Sequence, residues 1–170
     1  MRKSHRLVIF ALIILLIILY ITIKPTIPSI NLRINNNSNN QLTQSKVIDL
    51  SNKGLSSLTT QFFNSNKNCE ELDLSDNKLT GALPAEIRMM SKLKIINASN
   101  NNLTGIPAEI GQLKQLEVLD LSNNKIDTIP DEIKNIKDNL KILNLSGNNY
   151  SKETLGRIKQ MLPDTQVISD

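Results

Sequence analysis

The sequence has few of the side chains that usually carry enzyme chemistry. Aromatic residues make up 3% of the 170 residues, there is no tryptophan, and there is one cysteine and one histidine. A single cysteine excludes an intrachain disulfide and gives no CxxC metal motif. The single histidine, His5, lies in a basic N-terminal cluster, which excludes a triad built in the folded part. A hydrophobic core in this chain must therefore be aliphatic, built from leucine and isoleucine.

Acidic residues are missing from the first 45 positions. That part carries five basic side chains and a net charge of +5, whereas residues 46–170 carry 15 basic and 16 acidic side chains, a net charge of −1. The basicity of the chain therefore belongs to its N-terminal flank and not to the folded part. We expect no nucleic-acid partner.

Charged and amide side chains are also missing from residues 7–23. A helix of this length spans about 25 Å, and Arg6 and Lys24 at its ends can snorkel toward the interfaces of a hydrocarbon core about 30 Å thick. The segment is predicted to be a transmembrane signal-anchor helix, with the lipid bilayer as a partner. The alternative is a cleaved signal peptide and a secreted repeat domain. The long apolar run, followed by Ile-Lys-Pro where a small-x-small site would stand, favours the anchor.

The parts on either side of this segment predict its orientation and the tether. Residues 1–6 contain three basic side chains, so the positive-inside rule places this flank in the cytoplasm and the rest of the chain outside the membrane. Residues 24–45 are rich in asparagine and have too few regular apolar positions for a core. They are predicted to form a flexible linker, which would span roughly 25 to 28 Å.

From Lys46 onward the sequence repeats itself in steps of 24, 24, 23 and 24 residues. The unit reads LxxLxLxxNxL, and it resembles the leucine-rich repeat family. The resemblance implies an α/β leucine-rich repeat solenoid, a short curved right-handed coil with a parallel concave sheet, and it places five repeats in residues 46–150. The aligned segments are Ile48-Asp49-Leu50, Leu72-Asp73-Leu74, Ile96-Asn97-Ala98, Leu119-Asp120-Leu121 and Leu143-Asn144-Leu145.

Each unit alternates apolar and polar residues, which predicts a short strand. In the second repeat, Leu72 and Leu74 are expected to point into the solenoid, and Glu71, Asp73 and Ser75 to point out. A strand that buries one face only needs neighbours, so the repeats are expected to stack in parallel.

An asparagine recurs after the strands, where a short amide can bond the backbone groups of a chain that turns inward. The resemblance implies that these residues form a buried asparagine ladder with a structural role, and Lys53 takes the position in the first repeat, as a terminal repeat allows. The ladder residues are Asn77, Asn101, Asn124 and Asn148.

The segments that return from one strand to the next also repeat. Pro84, Pro107 and Pro130 are each followed two residues later by glutamate, a pattern that fits proline at the first position of a short helical turn. This form is similar to repeats of bacterial and signalling-type members. Residues 79–84 also resemble the plant-receptor variety, so both subclasses stay open.

The single cysteine and the last twenty residues can be placed by comparison with the unit. Cys69 matches a position that leucine fills in later repeats, which predicts a buried, unreactive thiol. Residues 151–170 depart from the unit and are predicted to form a C-terminal cap. In that cap, Leu155, Ile158 and Leu162 share one helix face, proline ends the helix, and residues 166–168 add an edge strand.

Equivalent outward residues are expected to form columns along the concave face. One column alternates in sign and is predicted to pair along the sheet, and it consists of Lys46, Glu70, Lys94, Glu117 and Lys141. The next column contains three adjacent aliphatic residues that are expected to face solvent, Ile95, Val118 and Ile142. They are interpreted either as residues with strand propensity or as an apolar strip for an extended peptide.

The strip and its polar neighbours form the candidate protein-binding site. Its predicted residues are Ile95, Asn97, Val118, Asp120, Ile142 and Asn144, flanked by the row Ser99, Ser122 and Ser146. Because no aromatic residue or arginine lies on these columns, the usual hot spots are missing and modest affinity is expected from this face alone.

These features favour a binding module over an enzyme. The preferred hypothesis is a receptor-like, membrane-anchored protein that binds a protein or peptide outside the membrane through its concave face. The alternative is a structural or adhesion spacer of the cell envelope without a discrete ligand. Catalysis is not expected, because Asp49, Asp73 and Asp120 lie on separate strands of an open face. No cofactor or metal ion is expected either.

Overall fold

The computed structural model describes residues 46–170. The basic flank (1–6), the predicted transmembrane helix (7–23) and the predicted linker (24–45) lie outside the described residues. Within the part of the chain that is described, no helix is long and apolar enough to cross a membrane.

Six strands of three residues each form one parallel sheet. Each strand pairs in register with the strand of this sheet that follows it along the chain. This arrangement confirms the predicted parallel stacking of the repeats in a solenoid-like α/β fold. The strands are β1 (Val47–Asp49), β2 (Glu71–Asp73), β4 (Ile95–Asn97), β6 (Val118–Asp120), β7 (Ile142–Asn144) and β8 (Gln166–Ile168).

The return segments contain short helices and a second, smaller sheet. That sheet pairs β3 (Thr80–Ala82) with β5 (Asn102–Gly105) in parallel. The first return segment forms the α-helix α1 (Thr60–Ser65), and the next three form the 3-10 helices η1 (Ala85–Met89), η2 (Ala108–Gln112) and η3 (Asp131–Ile136).

The prolines of the return segments lie one residue earlier than predicted. Pro84, Pro107 and Pro130 directly precede η1, η2 and η3 and keep an extended backbone, with ψ angles of 141°, 153° and 147°. Proline fixes only φ, and a φ near −65° is compatible with both the residue before a helix and its first residue. The glutamate two residues later still lies in the first turn, where it is favourably placed near the positive end of the helix.

The core is aliphatic, as the composition predicts. Leu72, Leu74, Ile96 and Ala98 are at most 1% exposed, and the equivalent residues of the later repeats continue the same interior. Cys69 is fully buried among them. Desolvation raises the pKa of its thiol to about 11, against smaller lowering effects of backbone hydrogen bonds. The prediction of a buried thiol is therefore confirmed, and such a thiol stays protonated at neutral pH.

The asparagine ladder joins each repeat to the one before it. Asn101 is 7% exposed, and its Oδ1 accepts a hydrogen bond from the backbone N–H of Leu79 at 3.0 Å. Its Nδ2 donates to the carbonyl of Leu74 in the preceding repeat, and to the carbonyls of Ala98 and Ser99 in its own repeat. These bonds tie backbone groups of two successive repeats together through one side chain.

The other ladder residues make the same contacts. Asn77 and Asn124 are each 7% exposed, and Asn148 is half-buried. The Oδ1 of Asn77 accepts hydrogen bonds from the backbone N–H groups of Lys53 and Leu55. The backbone N–H of Lys53 is thus bonded to the ladder residue of the second repeat, an interaction that does not depend on the lysine side chain.

Residues 151–170, predicted to be a C-terminal cap, contain a helix and a last strand. The α-helix α2 (Lys152–Met161) begins after Ser151, whose side chain accepts a hydrogen bond from the backbone N–H of Thr154 at 3.0 Å. Ile158 and Leu162 are buried, and β8 then adds the last strand to the sheet. Ile158 on the helix and Leu162 just after it belong to the hydrophobic core.

Two glycines differ in the space around them. A Cβ on Gly111, in η2, would lie 2.2 Å from the backbone carbonyl oxygen of Glu132, in η3. Gly156 lies inside α2, and a Cβ there would meet no heavy atom within 4 Å. The first glycine therefore permits close packing of two return segments, whereas the second lowers helix stability without a packing role.

We expect alanine at these two positions to change stability in opposite directions. Gly111→Ala forces the backbones of η2 and η3 apart and should destabilise the fold by about 3 kcal/mol. Gly156→Ala should stabilise it by about 0.5 to 1 kcal/mol, because alanine restricts the unfolded chain and fits the helix. Urea unfolding of both variants measures the two shifts, and equal shifts of one sign would contradict the packing described above.

Candidate functional site

The outward side chains of the six-stranded sheet form a surface that we call the sheet face. It contains three parallel features that run across the strands. The charged column lies where the strands begin and comprises Lys46, Glu70, Lys94, Glu117 and Lys141. The apolar strip lies in the middle and comprises Ile95, Val118 and Ile142. The Asp/Asn column lies where the strands end and comprises Asp49, Asp73, Asn97, Asp120 and Asn144.

The charged column pairs along the sheet as predicted. The carboxylate of Glu70 lies 2.8 Å from the Nζ atoms of both Lys46 and Lys94, and Lys141 pairs with Glu117. Hydrogen bonds from the two lysines hold the pKa of Glu70 at about 2. These side chains are partly exposed, so the pairs add little stability. Their main effect is that the column neutralises most of its own charge.

The apolar strip is less exposed than predicted. Ile95 and Val118 are half-buried, but Ile142 is only 8% exposed. The prediction that all three face solvent is therefore wrong for Ile142. In register, Ile142 lies between Val118 and Gln166 of the neighbouring strands, and side chains about 4.8 Å away on both sides shield it. Ile95 and Val118 form the accessible part of the strip.

The Asp/Asn column is held in one conformation by serines. In every member, Oδ1 accepts hydrogen bonds from the backbone N–H and the hydroxyl of the serine two residues later. For Asp73 these bonds from Ser75 measure 2.9 and 2.6 Å, and for Asp120 the bonds from Ser122 measure 2.9 and 2.6 Å. Asp49, Asn97 and Asn144 repeat the arrangement. Among the second side-chain atoms, the Nδ2 of Asn144 donates to the Oδ2 of Asp120 at 3.1 Å, which links these two members of the column.

The serines themselves do not belong to the accessible surface. Ser75 is 2% exposed, Ser99 is 9% exposed and Ser122 is 8% exposed. The prediction that Ser75 points out, and that the row containing Ser99 and Ser122 flanks the site, is therefore wrong. Ser146 is half-buried. A serine side chain is short enough to reach back to the Asp or Asn of its own strand, and this bond places the hydroxyl beneath the surface.

A further column was missed by the sequence analysis. Its members follow each serine and adopt a left-handed backbone, with φ angles between 54° and 67°. The Nδ2 of Asn100 donates to Asp76 at 2.9 Å, and the Nδ2 of Asn123 donates to the Oδ1 of Asn100 at 2.9 Å. The residue type just before the ladder position was the signal: it is asparagine or aspartate in the first four repeats and glycine in the fifth, and all three tolerate this conformation. The column comprises Asn52, Asp76, Asn100, Asn123 and Gly147.

A shallow cleft of about 270 Å³ borders the charged column. The Nζ of Lys114 donates to the backbone carbonyls of Gly111 and Asn135, so the amine is already engaged. The cleft is lined by Lys94, Lys114, Gln115, Glu117, Asp138, Asn139 and Lys141. Every residue that lines the cleft is charged or carries an amide, so the cleft offers no aliphatic or aromatic residue to a small ligand. Within residues 46–170, no group of three histidine, cysteine or acidic residues is placed to hold a metal ion.

Models of the leucine-rich repeat match the chain over most of its described length. A leucine-rich repeat model matches residues 43–103, a model of two leucine-rich repeat copies matches residues 91–135, and a third leucine-rich repeat model matches residues 139–161. No curated protein matches the sequence.

Several solved structures share the fold. A leucine-rich repeat protein of Leptospira interrogans is 39% identical over 66% of this chain, with a TM-score of 0.62. The ectodomain of the Arabidopsis thaliana receptor kinase SOBIR1 is 25% identical over 70% of this chain, with a TM-score of 0.55. The Arabidopsis receptor kinase HAESA, solved with the peptide hormone IDA and a co-receptor, is 28% identical over 78% of this chain, with a TM-score of 0.58.

This chain is short compared with those proteins. It spans 28% of the Leptospira protein, 64% of the SOBIR1 ectodomain and 27% of the HAESA chain. Leucine-rich repeat domains and receptor ectodomains of this kind are typically non-enzymatic and typical of protein-protein interaction. The repeat models, the asparagine ladder and the in-register parallel sheet agree, and the chain belongs to the leucine-rich repeat family.

Proposed function

We propose that this protein is a membrane-anchored binding module that holds a protein or peptide outside the membrane through its sheet face. The observation that carries the proposal is the pair of half-buried aliphatic side chains, Ile95 and Val118, on adjacent strands. They are bordered by polar side chains whose conformations are fixed. A rigid surface of this kind loses little conformational entropy when it binds.

The structural neighbours support a protein or peptide as the ligand. HAESA was solved with a peptide hormone and a co-receptor, and RGFR1, a plant peptide hormone receptor of similar fold, was solved in complex with RGF2. The affinity of this short face is expected to be modest. Burying the exposed parts of two aliphatic side chains contributes only about 2 kcal/mol of binding free energy. The residues that we assign to contact are Ile95, Asn97, Val118, Asp120 and Asn144, and the mostly buried Ile142 lies beside Val118.

A structural spacer is the second candidate function. The charged column neutralises most of its own charge, and no aromatic side chain lies on the strands of the sheet. Both observations suit a surface that stays soluble without a discrete ligand. The two functions differ in one respect, because only a binding module depends on particular side chains of the sheet face.

The N-terminal residues have the layout of a membrane anchor. Residues 7–23 are uncharged and apolar, and three basic side chains precede them. This layout is typical of a signal anchor with its N-terminus in the cytoplasm. The repeat domain then faces the outside, where a ligand reaches it.

Charge on the apolar strip should abolish partner binding without unfolding the domain. When tagged full-length protein is crosslinked on intact cells and purified, we expect one dominant partner for the unchanged chain and none for Ile95→Lys with Val118→Lys. Two buried lysine charges at a contact cost far more than the contact contributes. Circular dichroism of both proteins checks that the fold is kept.

The matched control inserts two lysines away from the sheet face. Thr104 in β5 and Gln112 in η2 are exposed, so Thr104→Lys with Gln112→Lys should keep the partner. If the Ile95 and Val118 variant captured the partner as well as the control does, the binding site would lie elsewhere on the protein. A variety of crosslinked proteins without a dominant one would favour the spacer.

The anchor is tested by extraction of membranes with alkaline carbonate. We expect the full chain to stay in the membrane fraction with its N-terminus intact by mass spectrometry. Leu15→Arg with Leu16→Arg should release it, because each arginine at the centre of a span costs roughly 2.5 to 3.5 kcal/mol, whereas Leu15→Val with Leu16→Val should not. A mature protein that lacks residues 1–23 would show a cleaved signal peptide instead.

A further inference from the structure

The two borders of the apolar strip differ in charge. On one side, Glu70 is shared by two lysines and Glu117 is paired with a third. On the other side, Asp73 and Asp120 carry carboxylates that take part in no ion pair with any residue of the described part of the chain. The sheet face therefore has a neutralised border and an anionic border.

The carboxylates of the anionic border are charged, and hydrogen bonds also fix their orientation. The Oδ1 atoms of Asp73 and Asp120 are each held by two hydrogen bonds from the following serine. The Oδ2 of Asp120 accepts one further bond, from the neutral amide of Asn144 at 3.1 Å. Fixed carboxylates beside an apolar surface bind a cationic group more strongly than mobile ones, because no side-chain entropy is lost on pairing.

The spacing of these groups suits an extended chain. Asp73 and Asp120 lie two strands apart in the sheet, which corresponds to about 9.6 Å at the usual strand spacing. Ile95 and Val118 occupy the two central strands beside them. A segment that crosses the strands therefore meets an aliphatic surface along one line and two carboxylates along the next.

We infer that the sheet face binds an extended peptide segment in which lysine or arginine side chains accompany aliphatic ones. The aliphatic side chains rest on Ile95 and Val118, and the cationic side chains pair with Asp73 and Asp120. This inference rests on the proposed function and gives the chemical class of its ligand. The carboxylates repel polyanions, so nucleic acids and acidic peptides do not fit the same surface.

The chain itself provides the conservative substitution for a test. Asn97 and Asn144 occupy the same column as Asp73 and Asp120 and make the same two bonds to serine. Asp73→Asn with Asp120→Asn therefore removes two charges and keeps the Oδ1 acceptor. Asp127 and Asp164 are exposed and lie off the strands of the sheet, so Asp127→Asn with Asp164→Asn removes the same net charge elsewhere.

The experiment measures binding of two synthetic peptides to the full-length protein in detergent by isothermal titration calorimetry. The peptides are acetylated, amidated pentapeptides that alternate valine with either lysine or glutamate. We expect the lysine peptide to bind at least tenfold more tightly than the glutamate peptide, and to weaken as salt screens the charges. The Asp73 and Asp120 variant should lose about tenfold in affinity, and the Asp127 and Asp164 variant should stay unchanged.

Equal binding of both peptides, binding of neither, or an equal loss in both variants would overturn the inference. Its failure is distinct from failure of the proposed function. If the cellular partner is lost on Ile95→Lys with Val118→Lys but retained on Asp73→Asn with Asp120→Asn, the binding face stands and the cationic ligand does not.

Discussion

The backbone groups that follow each strand are the constraint on which the structure depends. At these points the chain turns into the interior, where its N–H and carbonyl groups are remote from water and from any strand partner, and leaving them unpaired costs about 1 to 3 kcal/mol each. The asparagine ladder satisfies them, because each amide bonds a backbone N–H and a carbonyl of the preceding repeat together with two carbonyls of its own. Burial of leucine side chains favours stacking of the repeats. The ladder offsets the cost of burying the polar backbone groups of each turn inside the stack.

The same constraint positions the candidate site. Because each repeat is tied to its neighbour by the ladder and by the in-register sheet, equivalent side chains line up across strands and form continuous columns. The serine bonds then fix the Asp/Asn column. The left-handed column adds a second line of side-chain hydrogen bonds just beyond it. The repeat therefore sets the positions of the side chains on the sheet face, and the residue types at those positions set the chemistry of that face.

Periodicity in the sequence predicted what depends on the repeat. The parallel strands, the ladder, the buried Cys69 and the C-terminal cap were all predicted by comparing each part of the chain with the repeat unit, and the structure confirms the parallel strands and the burial of Cys69. Periodicity did not predict how far neighbouring side chains shield a position. Alternation places Ile142 on the outer side of its strand, but Val118 and Gln166 beside it leave it 8% exposed. Alternation likewise placed Ser75 outside, although its hydroxyl bonds back to Asp73 and is covered. Contact of a ligand with Asn97, Asp120 and Asn144 stays a prediction, because the repeat pattern of the sequence says nothing about the ligand.

The central claim is that the ladder holds the turn backbone as firmly as the sheet holds the strands. Native-state hydrogen exchange on the full-length protein tests it at the amides of Leu79 and Ile126, which lie outside any strand and donate to Asn101 and Asn148. We predict that these two amides exchange as slowly as the strand amide of Leu119, through the same cooperative opening. Exchange at the rate of an exposed turn would contradict the account, since it would mean that the repeats stack without their asparagines.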